Sequence, residues 1–211
     1  MTTTMTSVPA SSGLLRIRRL AAGAALGALG ALLVGGALMA VPRRGLDGNA
    51  LVGGLVLLGP AALAAVSLLD MFTVPGLHQT LHRHGPVLVA VATGCALAGD
   101  LLGVIGRLTQ LAAVVSQGQQ RPDAQTLVLD LLQTTFNAGG FVLVAISFTA
   151  FGVLLIRGRS RRLGAVAVAA GVLTGLGQLP GLQVLFYLAN VFFLAWYITL
   201  GVTFRRTEAS S

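Results

Sequence analysis

Long apolar runs separated by short polar segments dominate this chain. A transmembrane helix needs about 20 apolar residues to cross about 30 Å of hydrocarbon. Six segments qualify, at about residues 20–41, 50–70, 87–110, 134–156, 163–179 and 182–204. Neither a repeat nor a boundary with a second domain is visible. The pattern predicts an all-α, polytopic transmembrane bundle of six spans at residues 16–206, between a disordered tail at 1–15 and a short tail at 207–211.

The composition points the same way. Of the 211 residues, 55% are hydrophobic and 9% are charged, whereas an average soluble domain has about 25% charged residues. A soluble domain could not cover its surface with so few polar side chains. The formal net charge is +8, but the basic residues stand in short groups between apolar runs, not on one solvated face. This excludes a nucleic-acid partner and indicates the lipid bilayer, with a homo-oligomer or another membrane partner left open.

The distribution of arginines predicts the orientation of the bundle. With six spans, the side that carries both termini holds Arg16, Arg18, Arg19, Arg83, Arg157, Arg159, Arg161, Arg162, Arg205 and Arg206. The opposite side holds Arg43, Arg44 and Arg121. Because cytoplasmic loops carry the excess of arginine, both termini are expected in the cytoplasm. A chain rich in Ala, Gly and Val with arginine as its only strong base suggests a GC-rich bacterium, and therefore a bacterial inner membrane.

Ionisable residues within the apolar segments are the main candidates for function, because a charge at the bilayer centre costs roughly 2.5–3.5 kcal/mol. Reflecting the third segment onto the fourth about a turn near residue 120 places Asp100, Arg107, Asp130 and Asn137 in one intramembrane polar cluster, with Gln110 and Gln133 nearby. The favoured interpretation is structural, with Arg107 paired to Asp130. There are two alternatives. The cluster could be a site for a ligand, an ion or a proton, or Arg107 could extend its side chain to the membrane interface.

Three histidines, His78, His82 and His84, lie at the predicted cytoplasmic end of the second span. The spacing of His78 and His82 would allow both imidazoles to bind one metal, but Asp70, the nearest acid, is two turns away. A solvated basic loop near anionic headgroups is favoured. Catalytic signatures are missing from the chain, so no catalytic residue, metal or cofactor is predicted.

Two stretches resemble one bacterial family. Residues 101–110, LLGVIGRLTQ, resemble its third helix, which carries an intramembrane arginine. Residues 151–165, FGVLLIRGRSRRLGA, resemble its link between the fourth and fifth helices. The chain is thus similar, over about residues 50–204, to family 4386 of the domains of unknown function. The resemblance implies a six-helix membrane protein and no reaction. The family has an acid just after its arginine, whereas this chain has Thr109 and Gln110.

These observations favour a non-enzymatic membrane protein over a membrane enzyme. The leading hypothesis is a non-enzymatic structural or accessory protein in which the polar cluster orders the helices. The alternative is a small transporter or channel-like protein that uses Asp100 and Arg107. A weaker alternative is a membrane-embedded enzyme acting on lipid, which would need the histidines and an acid to converge in one cleft.

Overall fold

The fold was analysed on a computed structural model that describes residues 11–40, 50–117, 123–158 and 160–209. These residues form helices and no strand, which confirms the predicted all-α class. The helices are α1 (Ser11–Ala40), α2 (Ala50–Leu81), α3 (Pro86–Gln117), α4 (Asp123–Arg157), α5 (Arg161–Leu176) and α6 (Gln183–Ala209). A short 3-10 helix, His82–His84, joins α2 to α3.

Five stretches are long and apolar enough to cross a membrane. They are Arg19–Leu38, Leu57–His84, Pro86–Ala113, Leu127–Arg157 and Gln183–Thr203. Helix α5 has only 16 residues and is not among them. The protein is therefore a helical bundle with several membrane-span candidates, and the described residues give five such helices where the sequence predicts six.

The observed helices extend beyond the predicted spans. Helix α1 begins at Ser11, within the segment predicted as a tail, and α6 continues to Ala209. Helix α3 reaches Gln117 and α4 begins at Asp123, so both are longer than a perpendicular span requires. A helix satisfies its own backbone hydrogen bonds, so it can continue past the apolar stretch that defines the span. The predicted turn between α3 and α4 lies outside the described residues.

The six helices pack as a ring in chain order. Each helix contacts the next one along the chain, and α6 contacts α1 to close the ring. Helices α2 and α4 also touch across the middle. The core between the helices consists of small residues such as Ala25, Ala92 and Ala167, with the larger Leu154 and Trp196 among them. Small side chains allow the helix axes to approach closely, as is typical of membrane bundles.

Glycine forms the tightest of these contacts, between α4 and α5. A methyl group placed on Gly164 would lie 2.6 Å from the carbonyl oxygen of Gly152. One placed on Gly152 would lie 2.7 Å from the carbonyl oxygen of Gly164. Since both obstacles are backbone atoms, this contact requires glycine on both helices. A comparable approach joins α3 to α4, where a methyl group on Gly99 would lie 3.0 Å from the Gly140 oxygen.

A candidate acidic site at the centre of the bundle

Two aspartates lie at the middle of neighbouring spans. Asp70 is at the midpoint of the Leu57–His84 stretch of α2, and Asp100 is at the midpoint of the Pro86–Ala113 stretch of α3. Helices α2 and α3 are antiparallel and joined by the short turn at His82–His84, so these two positions come to the same depth. One helical turn away, Ser67 and Gly103 bring the two helices together: the hydroxyl of Ser67 lies 2.9 Å from where a methyl group on Gly103 would be.

The Asp70 carboxyl group is held by hydrogen bonds from two helices. The phenolic hydroxyl of Tyr197 on α6 donates to Oδ2 of Asp70 over 2.6 Å. The hydroxyl of Thr73, one turn along α2, lies 3.1 Å from Oδ1 and 2.8 Å from the Asp70 carbonyl oxygen. Tyr197 is only 2% exposed. A short bond from a buried phenol is the kind of contact that stabilises a carboxylate. Asp70 therefore has a full donor at Oδ2, while the single Thr73 proton is shared between Oδ1 and the carbonyl oxygen.

Asp100 is buried without comparable support. Its side chain is 5% exposed, and within the part of the chain that the structure describes it makes no hydrogen bond. Its carboxyl group interacts electrostatically with that of Asp70. A buried polar group without a partner costs free energy, and a buried charge costs more. Asp100 is therefore the buried acid whose place in the core most needs an explanation.

A small cavity lies against both carboxyl groups. Its volume is about 20 Å³, and a cavity of about 10–15 Å³ in the same measure holds one water molecule. The polar residues around it are Asp70, Thr73, Asp100 and Ser147, which gives it the oxygen atoms that a small polar occupant needs. We call these four residues together with Tyr197 the acidic site.

Aromatic and aliphatic side chains close the rest of the cavity wall. Trp196 on α6 and Phe148 on α4 both line it, and their rings meet edge to face with centroids 5.3 Å apart. Trp196 is 2% exposed and is one of the largest side chains of the core. The hydroxyl of Ser147 donates to the Val144 carbonyl oxygen over 2.9 Å, leaving its lone pairs free to accept. The cavity wall is thus polar at the two carboxyl groups and at the hydroxyl groups of Thr73 and Ser147, and apolar elsewhere.

No cation balances the two carboxyl groups. The residues lining the cavity in the described part of the chain include no arginine and no histidine, and the sequence contains no lysine. Charges buried in a membrane bundle are normally paired or neutralised. The acidic site consequently requires either a proton or a bound cation to hold both carboxyl groups in the core.

Among the described residues, no hydrogen bond or ion pair joins the four residues predicted as one polar cluster to one another. Arg107, partly buried on α3, donates from Nη1 to Oε1 of Gln110 over 3.1 Å. Asn137 on α4 lies against Gly106, with Oδ1 2.5 Å from where a methyl group on that glycine would be. Asp130 is exposed, and no ion pair joins it to Arg107 among the described residues. Asp100 lines its cavity together with residues of α2, α4 and α6.

The three histidines lie outside the acidic site. His78 shares a hydrogen bond of 2.9 Å with the hydroxyl of Thr93, through Nδ1. The rings of His78 and His82 are 5.6 Å apart, and His84 lies beside Gly158 at the end of α4. Within the described ranges no group of three or more histidine, cysteine, aspartate or glutamate side chains is placed to hold a metal ion.

The sequence analysis missed Asp70 and Tyr197 as members of a site. Asp70 could have been found from the sequence. Reflecting α2 onto α3 about the turn at His82–His84 places Asp70 level with Asp100. Tyr197 gave no such signal, because the contact between α6 and α2 joins residues 127 positions apart. Only the closure of the ring brings that hydroxyl to the carboxyl group.

Comparison with known proteins adds no relative to this picture: no protein-family model, no curated protein and no solved structure matches the chain. The acidic site is therefore the feature of the molecule from which a function can be inferred.

Proposed function

We propose that this protein is a small, non-enzymatic transporter that binds and releases a small cation, a proton included, at the acidic site. The observation that carries the proposal is Asp100, which is 5% exposed, makes no hydrogen bond in the described part of the chain and lines a cavity of about 20 Å³. An intramembrane acid of this kind marks an ion pathway or proton relay in membrane proteins. Asp70, and not Arg107, is its partner.

The position of the acidic site supports this function. Both aspartates lie at the midpoint of their spans, which is the depth at which secondary transporters bind substrates and coupling ions. Residues of α2, α3 and α4 line the cavity together with α6. A shift of any one of these helices would change the coordination of the occupant, which is what alternating release to the two sides requires.

The proposal includes the topology and setting of the bundle. We place the protein in a bacterial inner membrane with six spans, α5 being the sixth, and with both termini in the cytoplasm, because this arrangement gathers most arginines on one side. We also propose membership of family 4386, on the strength of the arginine in α3 and the basic link before Leu163 and Gly164. Six helices in this order are compatible with it.

Ion flux into proteoliposomes tests the function. The full chain is reconstituted in vesicles of phosphatidylcholine and phosphatidylglycerol, and a potassium gradient with valinomycin sets an inside-negative potential. Uptake is followed with an entrapped pH dye for protons and with radiolabelled sodium for sodium ions. We expect flux of one of these ions above protein-free vesicles, and its loss in Asp100→Asn, because the amide keeps the shape of the side chain but cannot bind a cation by its charge.

The matched control is Asp130→Asn, the same substitution at an exposed position on α4. It is expected to leave the flux unchanged. The absence of both fluxes from the wild-type protein contradicts the proposal, and so does equal flux in wild type and Asp100→Asn.

The second candidate is a structural role, and the bond between Tyr197 and Asp70 favours it, because it ties α6 to α2 at the centre of the ring. The two functions differ in the stability expected for Asp100→Asn. Replacing a structural acid lowers the stability of the protein, whereas replacing an unpartnered cation-binding acid by the neutral amide leaves the protein at least as stable, since burying an unpaired charge is unfavourable. Unfolding of the variant in detergent micelles distinguishes them.

A further inference from the structure

We infer that the occupant of the acidic site is a single proton and that it resides on Asp100, with Asp70 as the ionised member of the pair. This inference rests on the proposed function and names its cation. It follows from the unequal hydrogen bonding of two carboxyl groups that share one cavity.

The hydrogen bonds assign the roles within the pair. Asp70 accepts from Tyr197 at Oδ2, and Thr73 lies within hydrogen-bond distance of Oδ1, and bonds of this kind favour a charged carboxylate. Asp100 accepts none from the described residues and is 5% exposed, so an ionised Asp100 would be desolvated and uncompensated. Two neighbouring carboxyl groups without a counter-cation cannot both remain ionised, and the group without donors is the one that takes the proton.

The surroundings of Asp100 favour a proton over a metal ion. The cavity, at about 20 Å³, has room for one water, so a metal ion held there would have lost nearly all of its hydration shell. A dehydrated metal cation needs several oxygen ligands at once. A proton needs only one oxygen and an acceptor for the resulting O–H, which Ser147 or a water in the cavity supplies.

The charged and titratable groups around Asp100 are few. Asp70 faces it from α2 and Tyr197 from α6, while α4 contributes Ser147 and no titratable group to the cavity. Arg107 is two turns further along α3 and is bonded to Gln110. Loading forms one O–H bond on Asp100 and turns a hydronium ion into water, and release to water on the other side reverses this step.

Infrared difference spectroscopy of the full chain in the same vesicles tests the inference. At neutral pH the ordinary exposed carboxyl groups are ionised, so we expect one protonated carboxyl C=O band that shifts in deuterium oxide. The band should be lost in Asp100→Asn and kept in Asp70→Asn and Asp130→Asn. Asp100→Glu, which keeps an acid in the same place, should move the band without removing it, and serves if the amide variant fails to fold.

Recording the infrared band in sodium chloride and again in choline chloride distinguishes a bound proton from a bound sodium ion. If Asp100 carries a proton, the carboxyl band should not depend on sodium. A band that disappears as sodium is added overturns the inference. In that case sodium flux would still support the proposed function. The absence of the band from wild type, or its survival in Asp100→Asn, also overturns it. A band without any flux has the opposite meaning, since it upholds the proton site and contradicts transport.

Discussion

At the scale of single residues, the buried phenol of Tyr197 and the buried acid of Asp100 have opposite energetic roles. The hydroxyl of Tyr197 supplies the shortest side-chain hydrogen bond among those described, 2.6 Å to Asp70. Such a bond adds stability, and its loss leaves a carboxylate oxygen unsatisfied in the core. Asp100 adds none by hydrogen bonding, so its burial does not stabilise the bundle in this way. Because of this difference, we assign a functional role to Asp100 and a stabilising role to Tyr197.

We expect Tyr197→Phe to lower the free energy of unfolding by about 1–3 kcal/mol, because it removes the donor and leaves Asp70 buried without it. Equilibrium unfolding in mixed detergent micelles measures this change. Tyr187→Phe is the control, since Tyr187 is 71% exposed and surface changes stay within about 0.5 kcal/mol. Equal stability of the two variants would show that the bond to Asp70 contributes nothing.

At the scale of helices, the contact between α4 and α5 depends on two glycines that face each other. The methyl group of an alanine at Gly164 would lie 2.6 Å from the Gly152 carbonyl oxygen, and a backbone oxygen in a helix cannot move aside on its own. The helices would have to separate along this seam. Close backbone approach of this kind replaces the hydrophobic effect as the source of helix association in a bilayer.

Gly164→Ala should therefore destabilise the protein by about 1–3 kcal/mol, the usual cost of overpacking, although alanine is the better helix former. The same substitution at Gly175 on α5 meets only Ala145 Cβ at 3.5 Å, an ordinary contact, and should be neutral or stabilising. Thermal denaturation of the purified protein compares them. Identical behaviour of the two variants would refute the importance of the seam.

How much of this was predictable depends on the range of the contacts. The helices follow from runs of apolar residues, a pattern that can be read locally along the chain. Their ends were predicted to within a few residues, except where a helix continues into polar sequence. The partner of Asp100 depends on which helix faces which. The reflection of the third segment onto the fourth grouped Asp100 with Arg107 and Asp130. In the structure Asp100 shares its cavity with Asp70, which was passed over as a distant neighbour of the histidines. The donor from α6 required the closed ring.

At the scale of the whole molecule, the proposed six-span topology requires α5 to cross the membrane. The proposed topology places the α4–α5 link in the cytoplasm and the α5–α6 link, near Leu182, on the other side. A five-span bundle instead leaves both links on one side. The two arrangements predict different labelling of the same positions.

Cysteine accessibility in intact cells distinguishes these arrangements. Cys95 is the only cysteine, so a Cys95→Ala background allows single cysteines to be introduced at the exposed positions His82, Ser160 and Leu182. We expect a membrane-impermeant maleimide to label Leu182→Cys from outside and the other two only after the membrane is opened. Labelling of Ser160→Cys and Leu182→Cys from the same side would contradict six spans.

The shortness of α5 also concerns the lipid around it. Sixteen residues rise about 24 Å, whereas the hydrocarbon layer is about 30 Å thick. On the proposed topology this hydrophobic mismatch makes acyl chains beside α5 shorten or tilt, while those beside the longer α3 and α4 do not. The bilayer would then be thinner beside α5 than around the rest of the protein. The acyl-chain length of the host membrane would consequently affect how easily the contact between α4 and α5 moves.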